Sequence, residues 1–279
     1  MPDERVLGAG TTSVMTAKMR ALESARSEPL IVDRFAQQFV DASGLDYGTV
    51  SLSAVTGQRL FESNVIRTWW LDREVESALD GGCSQVVVLA GGLDSRAARL
   101  DGSGKCQWFE VETAALSSFK REVLEADGID MGSWWTQVEG TPADLAWSED
   151  LIGAGFEPGL ATCWVAEGMF YLAEMEGTAV LEEAARLSGP GSRFAIAHFG
   201  NGSLVEAQTR EMSNEARDHS GRGFQSVVAA PLSWLESGGW SLQQAQSIAS
   251  VGRTLGREVV YSAPEEIGNE YTWLISARR

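Results

Sequence analysis

Apolar residues follow two rhythms along this chain, and the change between them falls near residue 80. Before it, Met19, Leu22 and Ala25 within residues 16–25, and Phe35, Phe39 and Val40 within 33–42, recur at helical spacing. Pro29 closes the first of these helices, and a longer amphipathic stretch covers residues 58–79. Beyond residue 80, short apolar runs alternate with helical stretches. Residues 85–90, 107–111, 134–138, 161–166 and 192–198 predict strands, and 114–126 and 175–187 predict helices between them. Strands and helices that alternate in this way build a mostly parallel sheet. After Phe199 a polar helical region extends to about His219, and residues 271–277 read as a last strand. The pattern predicts one domain over residues 1–279. It comprises a helical cap over 1–80, a ligand-binding core over 81–199, and an insertion with the final strands over 200–279.

The first strand carries the strongest signal. QVVVLA has no polar alternation, so it reads as a strand buried on both faces. It runs into Gly91, Gly92 and Asp94, a turn in which the backbone can approach a small molecule closely. In open α/β sheets ligands collect at the carboxyl ends of the strands, so the residues that follow each strand should converge. Glu112 ends the second strand, Asp144 and Leu145 follow the third, and Glu167 follows the fourth. A carboxylate at the position of Glu112 suits the hydroxyls of a ribose, and it equally suits the start of the helix near Ala114. Asp144 can accept from an adenine amino group beside Leu145, or it can serve as a loop or cap residue.

Composition removes several function classes. The net charge of −17, with no local cluster of Lys and Arg, repels nucleic acid and anionic membrane surfaces. No apolar stretch reaches the roughly 18 residues of a membrane span, and MPDERVLGAG has no secretory pattern, so a cytoplasmic location is expected. Cys83, Cys106 and Cys163 are widely spaced and read as reduced core residues. With only His198 and His219, a zinc site lacks ligands, and no G-x-S-x-G elbow supports a serine hydrolase. A nicotinamide site is disfavoured because GGLDSR lacks the third glycine of that fingerprint and puts Asp94 and Arg96 near the ligand, which suits a nucleoside with a zwitterionic tail better than a pyrophosphate.

The ordered segments GGLDSRAARL, WFEVE, ADL and WVAEGMFYL, preceded by TAKMRALESARSEPLIVDRFA and VIRTWWLD, resemble the leucine carboxyl methyltransferase-like family, including its bacterial small-molecule branch. The resemblance implies a Rossmann-like class I methyltransferase fold of the α/β class. Such a fold has a mostly parallel seven-stranded sheet with helices on both faces, an N-terminal helical cap and a helical insertion after the fifth strand. It also implies S-adenosyl-L-methionine as cofactor. By the same resemblance Arg67 reaches the cofactor carboxylate, and a guanidinium fork suits that planar anion. Ala90, Gly91, Gly92 and Asp94 form the loop beside the methionine and ribose, and Glu112 binds the ribose. Asp144 and Leu145 make the adenine site, Glu167 stands near the amino acid end, and Tyr171 lies on the acceptor side. Lys18 stands near a family lysine for the cofactor carboxylate, with its spacing to Pro29 off by one. Two departures concern the site itself: Ala90 stands where the family usually has Gly, and Glu112 where it has Asp.

The expected reaction is direct in-line methylation of a small, apolar metabolite, most simply on a carboxylate oxygen. A carboxylate is already ionised at neutral pH and needs no general base. A hydroxyl or carbon acceptor, as in natural-product biosynthesis, would need one, and His198 at the end of the fifth strand is the candidate. A cofactor-binding scaffold without catalysis is the non-enzyme alternative. Trp69, Trp70, Trp134, Trp135 and Trp240 are candidates for the walls of an acceptor pocket. The partner expected is a small-molecule acceptor, not nucleic acid or membrane, and a homo-oligomer is left open.

Overall fold

The computed structural model describes all residues except 46–53, 101–105, 130, 133, 168, 206–222 and 262–269. Three helices come first: α1 (Ala9–Ser24), α2 (Ala36–Ser43) and α3 (Ala54–Asp80). The alternating part follows, with β1 (Gln85–Leu89), α4 (Arg96–Leu100), β2 (Gln107–Glu112), α5 (Ala114–Ala126), β3 (Trp135–Glu139), α6 (Trp147–Gly153), β4 (Thr162–Ala166), α7 (Glu174–Leu187) and β5 (Arg193–Phe199). The chain closes with α8 (Gly202–Val205), α9 (Pro231–Ser237), β6 (Ser241–Ser247), α10 (Ile248–Thr254) and β7 (Thr272–Arg278).

The strands form one seven-stranded sheet in the order β3-β2-β1-β4-β5-β7-β6. All pairs from β3 to β5 are parallel, and β7 runs antiparallel to both β5 and β6. β1 lies between β2 and β4, so the strand order reverses there, and a crevice opens at the carboxyl ends of these strands. All five residues of β1 are buried, as its lack of polar alternation predicts.

Side chains alternate across the sheet and split the core in two. Val86, Val88, Trp108, Trp135, Cys163, Val165, Ala195, Ala197 and Leu274 pack with Val14, Phe39, Ile66, Trp70 and Leu71 of the first three helices. Val87, Leu89, Phe109, Val111, Trp164, Ala166, Phe194 and Ile196 pack on the other face with α6, α7 and α9. The N-terminal helices therefore form one helical layer of the sandwich, with α3 lying against β4, β5 and β7. This position brings both α1 and α3 to the crevice.

Two elements differ from the sequence pattern. SLQQAQS forms β6, a strand with no apolar alternation. It is an edge strand, paired only with β7 through an irregular register, so little in its own sequence marks it. α1 begins at Ala9, seven residues earlier than the periodicity suggests; its first turns carry Thr12 and Ser13, polar residues that line the crevice and interrupt the apolar pattern. Most of the helical region expected up to His219 lies outside the described residues.

Candidate active site

A cavity of about 430 Å³ opens at the carboxyl ends of β1, β2 and β4. Arg67, Ala90, Gly91, Glu112, Glu167 and Tyr171 line it, together with Thr12, Ser13 and Thr16 from α1. Leu89, Leu116, Pro142, Ala143, Met169 and Leu172 supply its apolar surface.

The floor is the turn after β1. Ala90 adopts φ 50°, the one positive φ among described residues other than glycine, and its amide donates to the Val111 carbonyl at 2.9 Å. A side chain pays about 1–2 kcal/mol for that left-handed conformation. Gly92 also has positive φ, and a Cβ there would meet Ser13 Oγ at 2.3 Å, so α1 presses directly on the turn. The Gly92 amide donates to Glu112 Oε2 at 2.9 Å, while Oε1 accepts from the Thr113 amide at 2.8 Å. The extra methylene of Glu over Asp thus lets this carboxylate reach back and tie the glycine turn to the end of β2. Oε1 also accepts from Thr113 Oγ1 at 3.1 Å, so it is Oε2 that keeps lone-pair capacity for a further donor.

Glu167 and Arg67 form the polar wall. Arg67 Nε lies 3.1 Å from Glu167 Oε2, but its N–H is not directed along that line, and this buried nitrogen makes no hydrogen bond. Glu167 Oε1 lies 2.6 Å from Arg96 Nη1. Burial by itself would raise the Glu167 carboxyl, but Arg96 and Arg67 overcome that and hold it below the ordinary carboxylate value. Asp94 is sequestered below the surface: its Oδ1 accepts from the Arg96 amide at 2.6 Å and its Oδ2 pairs with the Arg96 guanidinium. Burial and Arg96 again oppose each other at Asp94, and its pKa is lowered.

Not every predicted residue joins this cavity. Asp144 and Leu145 are exposed in the turn before α6, where Asp144 Oδ1 accepts from the Ala146 amide at 3.1 Å. The cavity is instead bordered by Thr141, Pro142 and Ala143 of the same loop. Lys18 is partly exposed on α1 and absent from the described lining. His198 lies outside both the cavity and its neighbouring chamber. Ala197 and Phe199 face the crevice, so strand alternation turns His198 to the opposite face of β5. There it meets the Trp234 ring at 5.4 Å and borders a separate cavity with Ser226. Burial lowers its pKa to about 4, with bonds to the Phe199 and Met169 backbone offsetting part of the shift.

A second, smaller chamber of about 110 Å³ adjoins the first and shares Thr12, Thr16, Arg67 and Tyr171 with it. One face of α3 contributes Arg59, Leu60, Ser63, Asn64 and Arg67, spaced at helical intervals. Phe199, Phe224, Tyr261 and Tyr271 supply the aromatic wall, and the two tyrosines stack at 3.9 Å. None of the five tryptophans considered above borders either chamber; Trp70, Trp135 and Trp240 are buried in the core. Tyr171 stands at the junction, edge-on to Phe224 at 5.3 Å. Burial raises its pKa, and bonding to Thr12 and the charge of Arg67 only partly oppose this, so its hydroxyl stays protonated at neutral pH.

The donor set suits a nucleoside with a zwitterionic tail. Carboxylates at Glu112 and Glu167 can accept from hydroxyls and an ammonium, Arg67 has a spare buried donor, and apolar residues offer a flat base a dry surface. A seven-stranded sheet of this order with a cavity at its switch point has the fold of class I methyltransferases. The chain belongs to the leucine carboxyl methyltransferase family, which matches residues 13–185. It is 33% identical over 278 residues to a Rhodococcus jostii (strain RHA1) protein provisionally named an S-adenosyl-L-methionine-dependent methyltransferase, covering 94% of this chain and 92% of that one. The fold is shared with a provisionally named methyltransferase from Thermobifida fusca YX, with a TM-score of 0.60 and 13% identity over 95% of this chain and 94% of that chain. It is also shared with a geranyl diphosphate methyltransferase in complex with SAM, with a TM-score of 0.50 and 14% identity over 84% and 95% of the two chains.

Thr12, Ser13 and Thr16 are cavity residues that sequence reasoning passes over, and the burial of Arg96 behind Glu167 is visible only in the structure. The available signal is the i, i+4 pair of threonines on an otherwise apolar helix face, interpretable only once α1 is known to cross the glycine turn.

Proposed function

We propose that this methyltransferase esterifies a small, largely apolar carboxylic acid. The observation that carries this reading is the charge of the smaller chamber. Its described lining holds two arginines, Arg59 and Arg67, and no Asp, Glu, His or Lys. An acceptor needing deprotonation would find no base among those residues, whereas a carboxylate arrives ionised and needs none. The buried, neutral His198 on the opposite face of β5 agrees with chemistry that needs no imidazole.

In this reading Arg67 binds the cofactor carboxylate, Glu167 its ammonium group and Glu112 its ribose. The turn from Ala90 to Gly92 lies beneath the sugar. When bound, S-adenosyl-L-methionine would supply a methyl group activated by its sulfonium for in-line transfer to an acceptor oxygen, with S-adenosylhomocysteine as the leaving group. The Tyr171 hydroxyl at the junction orients the acceptor, and the aromatic wall excludes water.

The test is methyl transfer from isotopically labelled cofactor to paired substrates that differ only in carrying a carboxylic acid or an alcohol. The expected product is a methyl ester that releases methanol in dilute hydroxide, formed at a rate constant nearly level from pH 6 to 9. Labelled products resistant to hydroxide would instead establish an ether or carbon acceptor.

A further inference from the structure

The carboxylate at the cavity rim is held by a guanidinium that does not itself line either chamber. Arg96 opens α4 and is 2% exposed. Its Nε lies 2.8 Å from Asp72 Oδ1 on α3, and its Nη1 reaches Glu167 Oε1 at 2.6 Å while pairing with Asp94 of the glycine turn. Three carboxylates from three separate elements therefore converge on one planar fork, which the single point charge of a lysine cannot reproduce.

The network continues beyond this point. Arg99 clamps Asp72 at 2.7 and 2.8 Å, and its Nε donates to Ser95 Oγ, which in turn donates to Asp33 at 2.8 Å. Arg20 pairs with Asp33 at 2.8 Å and donates to the Leu93 carbonyl at 2.6 Å, so α1 is fastened to the same turn. Four guanidiniums (Arg20, Arg67, Arg96, Arg99) face four carboxylates (Asp33, Asp72, Asp94, Glu167), and the assembly is neutral. Of these eight residues only Arg67 and Glu167 border the large cavity. The network thus determines where one positive and one negative group stand, at the end where a zwitterionic tail would lie.

We propose that Arg96 is a positioning residue for the cofactor: it occupies one oxygen of Glu167 and fixes the carboxylate at the rim, leaving Oε2 beside Arg67 for the ligand's ammonium. Arg96 then controls affinity for the amino acid end of the ligand without touching it. This inference rests on the assignment of Glu167 to the ammonium group made above.

The experiment is a calorimetric titration of the full chain with S-adenosylhomocysteine in four forms: wild type, Arg96→Lys, Glu167→Gln and the double variant. Each single substitution should weaken binding about 10- to 100-fold, the range typical of residues that orient a ligand-binding group. The double variant should be no weaker than Glu167→Gln by more than about threefold, because a residue acting only through another loses its effect when that partner is gone. In steady state Arg96→Lys should raise the KM for the cofactor while changing kcat at saturation by less than about threefold. Wild-type affinity in Arg96→Lys, or losses that multiply in the double variant, would overturn the positioning role and leave the Glu167 assignment intact. Wild-type affinity in Glu167→Gln would overturn both. Should Arg96→Lys fail to fold, Asp72→Asn removes the anchor on the far side of the same fork, and affinity equal to wild type there would likewise refute the proposal.

Discussion

The two adjoining chambers share Arg67 and Tyr171 but are built on opposite plans. The larger is a crevice of strand ends, whose polar groups are fixed by backbone donors and ion pairs. The smaller is assembled from α1, one face of α3, the end of β5 and residues near 224, 261 and 271, with mainly apolar and aromatic walls. A charged, zwitterionic cofactor that must be placed to within a fraction of an ångström calls for a rigid polar frame. An apolar acceptor held mostly by exclusion of water calls for shape, which many residue combinations can supply. The contrast accounts for strand-end motifs that mark one chamber in the sequence, while the other is built from scattered residues without a motif.

The comparison is broken most strongly at Glu112. Glu112→Ala removes both the ribose-side carboxylate and the strap on the Gly92 amide. Loss of charge-assisted bonds of about 1.5–3 kcal/mol should weaken S-adenosylhomocysteine by roughly 10- to 100-fold in a calorimetric titration. The KM for the acceptor, measured at saturating cofactor, should stay within about threefold of wild type. Comparable damage to both constants would mean that the chambers are not separable.

His198 tests the boundary on the other side. Its pKa is about 4 in the folded chain against an ordinary 6.5. Between those values the unfolded chain binds a proton that the folded chain refuses, so stability rises with pH through the window and is lost as pH falls from 6.5 to 4. The shift corresponds to about 3 kcal/mol. His198→Gln should flatten that part of the urea-unfolding stability profile while leaving the pH dependence of methyl transfer unchanged. A folded variant without activity would return the histidine to the reaction.

The smallest effect is expected at Ala90. Glycine there would relieve a left-handed strain of about 1–2 kcal/mol but add unfolded-state freedom worth about 0.4–1 kcal/mol. Ala90→Gly should therefore stabilise the protein by about 0.8 kcal/mol in urea titrations, the difference between the midpoints of those two figures. A loss of stability would show that the Ala90 methyl group contributes packing that offsets its backbone strain.

Legibility followed the same division. β1, with its run of buried valines, and the glycine turn after it were readable because a central parallel strand leaves a continuous apolar mark. Glu112 and Glu167 followed from counting strand ends. Asp144 and Leu145 were placed by resemblance, yet here they lie exposed beside the cavity's border. β6 was hidden because an edge strand of Ser and Gln carries no apolar alternation. The sequence places Arg96 near the ligand, but not its role behind the cavity wall, because its partners Asp72 and Glu167 lie on distant elements that only the fold brings together.

The sequence alone determined the alternation of strands and helices, the glycine turn, and the acidic residue at the end of each neighbouring strand, since these depend on period, backbone freedom and short separations. Tertiary structure decided the rest. It laid α1 across the turn, joined eight charges into a neutral network and turned His198 away from the crevice beside Phe199. Those outcomes depend on which distant side chains share a buried volume and on which face of a strand each residue occupies, and packing settles both.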